Sequence, residues 1–216
     1  MNIGIIGAGS VARTVGQAWV KAGHNVMLSS RHPEKTADAS DQFSIGTPRE
    51  AAEYGEVIFL AVNYESSESA LAAIESSVDG KLVVDATNPL RYAEKGGTER
   101  VIGDDQIAGE LMQSRLPNAR VGKAYTTLWT GYLEEHAFAT PRIAMTLAAD
   151  TAEDRATIAA LIEETGFEPV DLGTLSESRP LDPPSPVWNV VLTASELSAR
   201  VSEFRTTTQS GSTNDE

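Results

Sequence analysis

The sequence predicts an α/β fold of the Rossmann type, a doubly wound and mainly parallel sheet with a short C-terminal helical extension. Three observations predict it. Apolar runs of strand length alternate with helical segments along most of the 216 residues, the pattern of a parallel sheet covered on both faces. The first run, residues 2–6 (NIGII), passes at once into Gly7-Ala8-Gly9-Ser10-Val11-Ala12, a GxGxxA turn. A helical segment over residues 10–22 follows, with Val11, Val15, Ala18, Trp19 and Ala22 at three- and four-residue spacings.

Each part of the turn has its own physical task. Gly7 permits the tight reversal, Gly9 lets a pyrophosphate approach the backbone, and Ala12 keeps the helix close to the sheet. Free N–H groups at the helix start then face an anion. A second strand over residues 25–29 ends in Ser29-Ser30-Arg31, where an NAD-binding chain places an acidic residue on the ribose diol. Hydroxyls and a cation fill that place. Ser30 and Arg31 suit a 2′-phosphate, with Lys35 as a second cation, so the chain reads as NADP(H)-binding.

The remaining elements follow in order. Residues 33–41 read as a short helix and 43–45 as an edge strand. Thr47 with Glu50 three residues later reads as a capped helix start. Residues 56–62 form a buried strand whose end lies beside the nicotinamide half of a dinucleotide. A helix over 66–77 leads to a strand over 81–85, closed by Ala86-Thr87-Asn88-Pro89. Residues 91–105 are polar and Gly-bearing, a loop able to cover a ligand. A helix (106–116), two strands (120–125 and 142–147), a helix stopped at Gly166 (152–165) and a last strand (168–172) complete the domain.

Beyond Gly173 the composition changes. Pro180, Pro183, Pro184 and Pro186 make an extended segment, residues 187–204 return to helical spacing, and the Ser/Thr-rich residues 205–216 read as a disordered tail. The domains are thus an NADP-binding unit (1–173), a proline-rich segment with a C-terminal helix (174–204) and the tail (205–216).

A net charge of −14 argues against nucleic acid and anionic membrane as partners. With no cysteine there is no disulfide, thiolate metal site or Cys nucleophile. No ligand spacing for a metal is found. A cofactor strand beginning at Asn2 leaves no room for a signal peptide, and no apolar run reaches transmembrane length, so the expected location is cytoplasmic.

The opening NIGIIGAGSVA, the SSR after the second strand, DATNPL, KAYTT and GFEPVDLGTLSESRPL together resemble the NADPH-dependent deazaflavin-coenzyme reductases, or F(420)-dependent NADP oxidoreductases. These are related to pyrroline carboxylate reductases and to the reductase domains of membrane ferric reductases. The resemblance covers residues 1 to about 190. It implies a phosphate turn at Gly7–Ala12, a 2′-phosphate pocket at Ser30, Arg31 and Lys35, and a nicotinamide wall at Ala61, Val62 and Asn63, with Asn88 and Pro89 across the cleft. It also implies coenzyme F(420) or another small-molecule redox acceptor as co-substrate, with a homodimer left open.

Hydride transfer between two such cofactors needs no protein acid or base at the transferring carbon, and no catalytic residue is expected. His24, His32 and His136 all sit in turn-like or charged surroundings. An imine or 2-keto-acid reductase would instead use Lys123 as proton donor, and a non-enzymatic NADP(H) sensor would use the fold only to bind. Tyr64, Tyr125 and Trp129 are candidates either for stacking on a flat ring or for the core.

Overall fold

The computed structural model describes residues 1–34, 36, 41–93 and 96–211. Its elements are β1 (Asn2–Ile6), α1 (Ser10–Lys21), β2 (Asn25–Ser29), β3 (Ser44–Gly46), α2 (Pro48–Tyr54), β4 (Val57–Leu60), α3 (Tyr64–Ile74) and β5 (Leu82–Asp85). Then come β6 (Leu90–Tyr92), β7 (Thr98–Arg100), α4 (Ala108–Arg115), β8 (Arg120–Ala124), α5 (Thr130–His136), β9 (Ala144–Ala149), α6 (Ala152–Glu164), β10 (Glu168–Asp171) and α7 (Ala194–Gly211).

Eight strands form one sheet in the order β10-β9-β8-β5-β4-β1-β2-β3. The chain winds outward from β1 through β2 to β3, then restarts at β4 on the other side. The switch point therefore falls between β1 and β4, and a crevice opens there at the carboxyl ends of the strands. All pairings are parallel except β8 with β9, where Lys123 stands opposite Ala148. The β8–β9 connection holds the seven-residue α5, and the chain returns antiparallel.

Both faces of the sheet are buried, and the strands divide their apolar residues between them with a period of two. Ile3, Ile5, Phe59 and Val84 pack with Val15, Trp19, Ile158 and Leu161 under α1 and α6. Ile6, Ile58, Leu60 and Val83 pack with Leu71, Ile74 and Met112 under α2, α3 and α4. Trp19 anchors the first layer. Its ring meets Phe59 at 5.0 Å and Tyr125 at 5.9 Å, both edge-on, and its Nε1–H donates to the Leu161 carbonyl at 3.0 Å.

Thr47 caps α2 as the sequence predicts: its hydroxyl accepts from the Glu50 N–H at 3.3 Å, and the Glu50 carboxylate accepts from the Thr47 N–H at 2.7 Å. The Thr47 N–H, and after it the Thr47 hydroxyl donating at 2.8 Å, hold the Glu50 carboxyl below its ordinary pKa.

Four expectations are corrected. The polar stretch 91–105 is not only loop: β6 and β7 form a separate antiparallel pair, closed across by the Arg91–Glu99 ion pair at 3.0 Å. Helix α5 was not expected, because a seven-residue helix beginning Thr130-Gly131 carries too little periodicity to show.

The C-terminal helix starts at Ala194, not Val187. Val187 and Leu192 are buried in a third cluster with Leu172, Leu181, Leu197 and Val201, so the apolar spacing reflects a turn over 186–189 and the irregular residues after it, packed beside β9 and β10. Finally, residues 205–211 are helical where a disordered tail was expected. Arg205 donates to the Leu172 and Glu177 carbonyls, and the Thr206 and Thr207 hydroxyls bond back to carbonyls of the preceding turn. The short helix expected over 33–41, with Lys35, falls largely outside the described residues.

Replacing Trp19 by Ala removes the large ring that three elements share, and such deletions cost about 3–5 kcal/mol. Trp19→Ala is expected to lower the unfolding free energy by that amount, seen as a lower denaturant midpoint at unchanged slope in equilibrium unfolding.

Candidate functional site

The crevice at the switch point is a cleft of about 440 Å³. Gly9, Ser10 and Val11 line it from the turn, Ala61, Val62 and Asn63 from the end of β4, and Asn88 from beyond β5. These seven are sequence-predicted positions, and the fold brings them together. Two of them show why the local sequence is as it is.

Gly7 has φ +125°, and a Cβ there would collide with the Ala61 carbonyl, so only glycine lets β4 pass this close to the turn. Gly9 is different: a Cβ there would meet no protein atom within 4 Å. Its missing side chain faces open cleft. Gly9 is also the N-cap of α1 and provides no side-chain acceptor, so the first-turn amides of α1 keep their donors free.

Ala12 is fully buried behind the turn and Ala8 lies beside Gly9, its carbonyl held by Arg13 Nε at 3.0 Å. Ser30 and Arg31 stand beyond the end of β2, outside the cleft lining, with Arg31 exposed and the Ser30 hydroxyl accepting from the His32 N–H at 3.1 Å. Lys35 lies outside the described residues. Pro89 is buried and does not line the cleft, where a place on the wall was expected. Its carbonyl accepts from Val101 N–H at 2.9 Å and ties the β6–β7 pair to the turn.

The far wall rests on a buried ion pair. Lys123 Nζ donates to Asp85 Oδ2 at 3.0 Å and to the Thr87 carbonyl at 2.8 Å, while Asp85 Oδ1 accepts from the Thr87 N–H at 2.9 Å. Both side chains are fully buried. The pair grips Thr87 by both backbone groups and so places its neighbour Asn88. The Asn88 Nδ2 donates to the Thr126 carbonyl at 2.9 Å, but its Oδ1 is buried without a partner. An unpaired acceptor of this kind calls for a donor.

Below the pair, Asp182 accepts from the Ala108 N–H at 2.8 Å. Burial raises the Asp182 pKa, an effect opposed first by Lys123.

Lys123 is therefore absent from the cleft lining and committed to structure, which removes the geometric basis for its use as a proton donor. Tyr125 borders the cleft, but its hydroxyl lies in the core: burial pushes the pKa of that hydroxyl up, and it bonds to Leu161 and Thr165. Tyr64 is buried in the cleft wall with Arg115 stacked on its ring at 5.3 Å. Sequence reasoning missed Tyr92, Trp188 and Asn189, which line the cleft from segments read as loop or helix. Among the described residues, no group of three or more His, Asp or Glu could hold a metal ion, and no helix is long and apolar enough to cross a membrane.

A glycine turn under free helix amides, at the switch point of a doubly wound sheet, defines a dinucleotide-binding oxidoreductase domain. Residues 2–89 match the family described as NADP oxidoreductase, coenzyme F(420)-dependent. The metalloreductase STEAP3 of Rattus norvegicus is 30% identical over 185 residues, which cover 84% of this chain and 36% of that protein. The chain spans little more than a third of the length of the curated relatives it matches.

Among solved structures, one from Arthrobacter described as an F(420)-dependent NADP reductase superposes with a TM-score of 0.75 at 24% identity, covering 83% of this chain and 87% of that one. A hypothetical protein from Sinorhizobium meliloti gives 0.78 at 25%, covering 89% and 95%.

Removing one partner from a buried ion pair costs about 3–5 kcal/mol, because the other charge is left uncompensated. Lys123→Met is expected to lose that much stability in urea. Adding Asp85→Asn, which keeps an acceptor for the Thr87 N–H, is expected to recover a large part of it. Equal stability of the single and double variants would show that the pair carries no such strain.

Proposed function

We propose that this protein transfers hydride between NADP(H) and a deazaflavin coenzyme or a similar flat redox acceptor, as a cytoplasmic enzyme whose partners are small molecules. The observation that carries this reading is Gly9: its absent side chain opens onto the cleft beneath the uncapped amides of α1. A pyrophosphate suits that place by charge and by space.

The unpartnered Oδ1 of Asn88, on the opposite wall, suits a carboxamide N–H. Ser30 and Arg31 offer a hydroxyl and a guanidinium where a carboxylate would repel a 2′-phosphate. These residues suit the diphosphate, the carboxamide and the 2′-phosphate of NADP(H). When bound, the nicotinamide supplies or accepts the hydride at its carbon 4.

The chain's own contribution is placement. The α1 amides hold the diphosphate, Ala61 and Val62 present apolar surface to one side, and the Asp85–Lys123 pair fixes the turn that carries Asn88. Asp85, Lys123 and Asp182 do not line the cleft, and the transfer proposed needs orientation and exclusion of water rather than a protein acid. The match of residues 2–89 supports the cofactor. The family's own description and the Arthrobacter structure support the deazaflavin.

A charge-assisted phosphate contact is worth about 1.5–3 kcal/mol, or roughly ten- to a hundredfold in affinity. Titration of both cofactors is expected to show NADPH binding tighter than NADH by that factor in the wild type and nearly equal binding in Arg31→Ala. Equal affinities in the wild type would remove the assignment of Ser30 and Arg31.

Gly9→Val is expected to fold normally, since no protein atom lies in the way, and to lose NADPH binding. Unchanged affinity in that variant would place the dinucleotide elsewhere.

A further inference from the structure

Among the described residues four large apolar side chains are exposed, and two of them, Tyr92 (85%) and Trp129 (66%), line the cleft. Exposed aromatic surface inside a concave site marks ligand contact more often than chance packing.

Trp129 is not a loose surface residue. A Cβ on Gly131 would collide with its six-membered ring, so the indole lies directly on the first turn of α5, in a seat that only glycine leaves free. Its edge meets Tyr132 with ring centroids 6.0 Å apart and planes at 87°.

The backbone is fixed as well. The Trp129 N–H donates to Asn189 Oδ1 at 3.2 Å, and the Asn189 N–H donates to the Thr127 carbonyl at 2.7 Å. Asn189 holds φ +58°, a left-handed conformation that asparagine tolerates better than most residues. Through it the proline-rich segment is stitched to the loop after β8, and the adjacent Trp188 also joins the cleft wall. Ring, seat, edge contact and backbone are all constrained, yet most of the ring stays open.

We propose that Trp129 is a stacking platform for the planar heteroaromatic ring of the electron acceptor, seated by Gly131 and positioned by Asn189. The proposal rests on the reading of the protein as an NADP(H)-dependent reductase of a flat acceptor, and adds the residues that hold that acceptor. Trp129, Gly131 and Asn189 all lie outside residues 2–89, the portion that carries the dinucleotide turn and its opposing wall. Stacking needs only a π-face, so the platform selects planar rings as a class: flavin and deazaflavin rings fit, compact metal chelates do not.

The test uses the full chain saturated with NADP⁺. Flavin mononucleotide and a deazaflavin serve as separate probes, and quenching of tryptophan fluorescence gives their affinities. Steady-state oxidation of NADPH gives KM and kcat for the same probes.

Trp129→Leu and Gly131→Ala are expected to weaken the planar probe by about fivefold to tenfold in both Kd and KM, on the scale of one aromatic contact. Trp129→Phe is expected to recover most of the loss. NADPH affinity is expected to stay within twofold of the wild type in all three variants, on that same scale. Gly131→Ala keeps the indole but tilts it, so a loss in that variant reports geometry rather than mere contact area.

Unchanged probe affinity in Trp129→Leu would overturn the proposal. A parallel loss of NADPH affinity would also overturn it, since the ring would then hold the dinucleotide. Probe binding without turnover in the wild type would defeat the reductase reading while leaving the platform intact.

Discussion

The close approach of the β4 end to the turn after β1 is the constraint on which the site depends. At Gly7 a side chain and the Ala61 carbonyl cannot coexist. Because Gly7 has none, the strands pair in parallel up to their last residues, Ile6 beside Leu60. The turn then leaves the sheet where Ala61, Val62 and Asn63 emerge, so a phosphate-binding turn and an apolar wall become neighbours without any specific bond between their side chains. Gly9 two residues later answers a different requirement, since nothing in the protein presses on it. One glycine serves the fold and the other leaves room for a ligand.

The opposite wall is organised by charge in place of close approach. Burying Lys123 and Asp85 completely is expensive, and such a pair is tolerated only when its remaining hydrogen-bonding capacity is used. Thr87 uses it, giving its N–H to the acid and its carbonyl to the ammonium. A loop of four residues between β5 and β6 thereby acquires a definite shape. Asn88 inherits a fixed backbone, a second anchor at Thr126 and a free acceptor. Lys123, the proton donor of the alternative reading, is thus a means of shaping the loop that carries Asn88.

What the sequence revealed follows how local each signal is. The turn at Gly7–Ala12 and the capping box at Thr47–Glu50 are written within a few residues, and both form as read. The buried strands declare themselves by continuous apolar runs, with boundaries shifted by a residue or two. Pairing directions do not: nothing in Ala144–Ala149 says that it runs against β8, because a strand buried on both faces reads the same either way.

The β6–β7 pair is polar and three residues long on each side, so it lacks alternation to detect. Residues 187–193 carry helical spacing for a different reason. Their apolar side chains dip at intervals into the cluster beside β9, and a turn followed by irregular chain can mimic a helical period over so short a span.

The least legible part of the site is also the part that separates this chain from a bare dinucleotide domain. Tyr92, Trp129, Trp188 and Asn189 come from three segments far apart in sequence, and no motif relates them. Their meeting depends on tertiary facts: an antiparallel return that places α5 against α1, marked by the Ser10–Thr130 hydroxyl contact at 3.2 Å, and a C-terminal segment pinned along the sheet edge.

The cofactor half can be read from residue types because phosphate recognition is done by backbone, which forces glycine and a helix start. An aromatic platform makes no such demand on its neighbours in sequence. Only Gly131, two residues after the ring it seats, leaves a local trace, and that trace acquires meaning once the ring is seen lying on it.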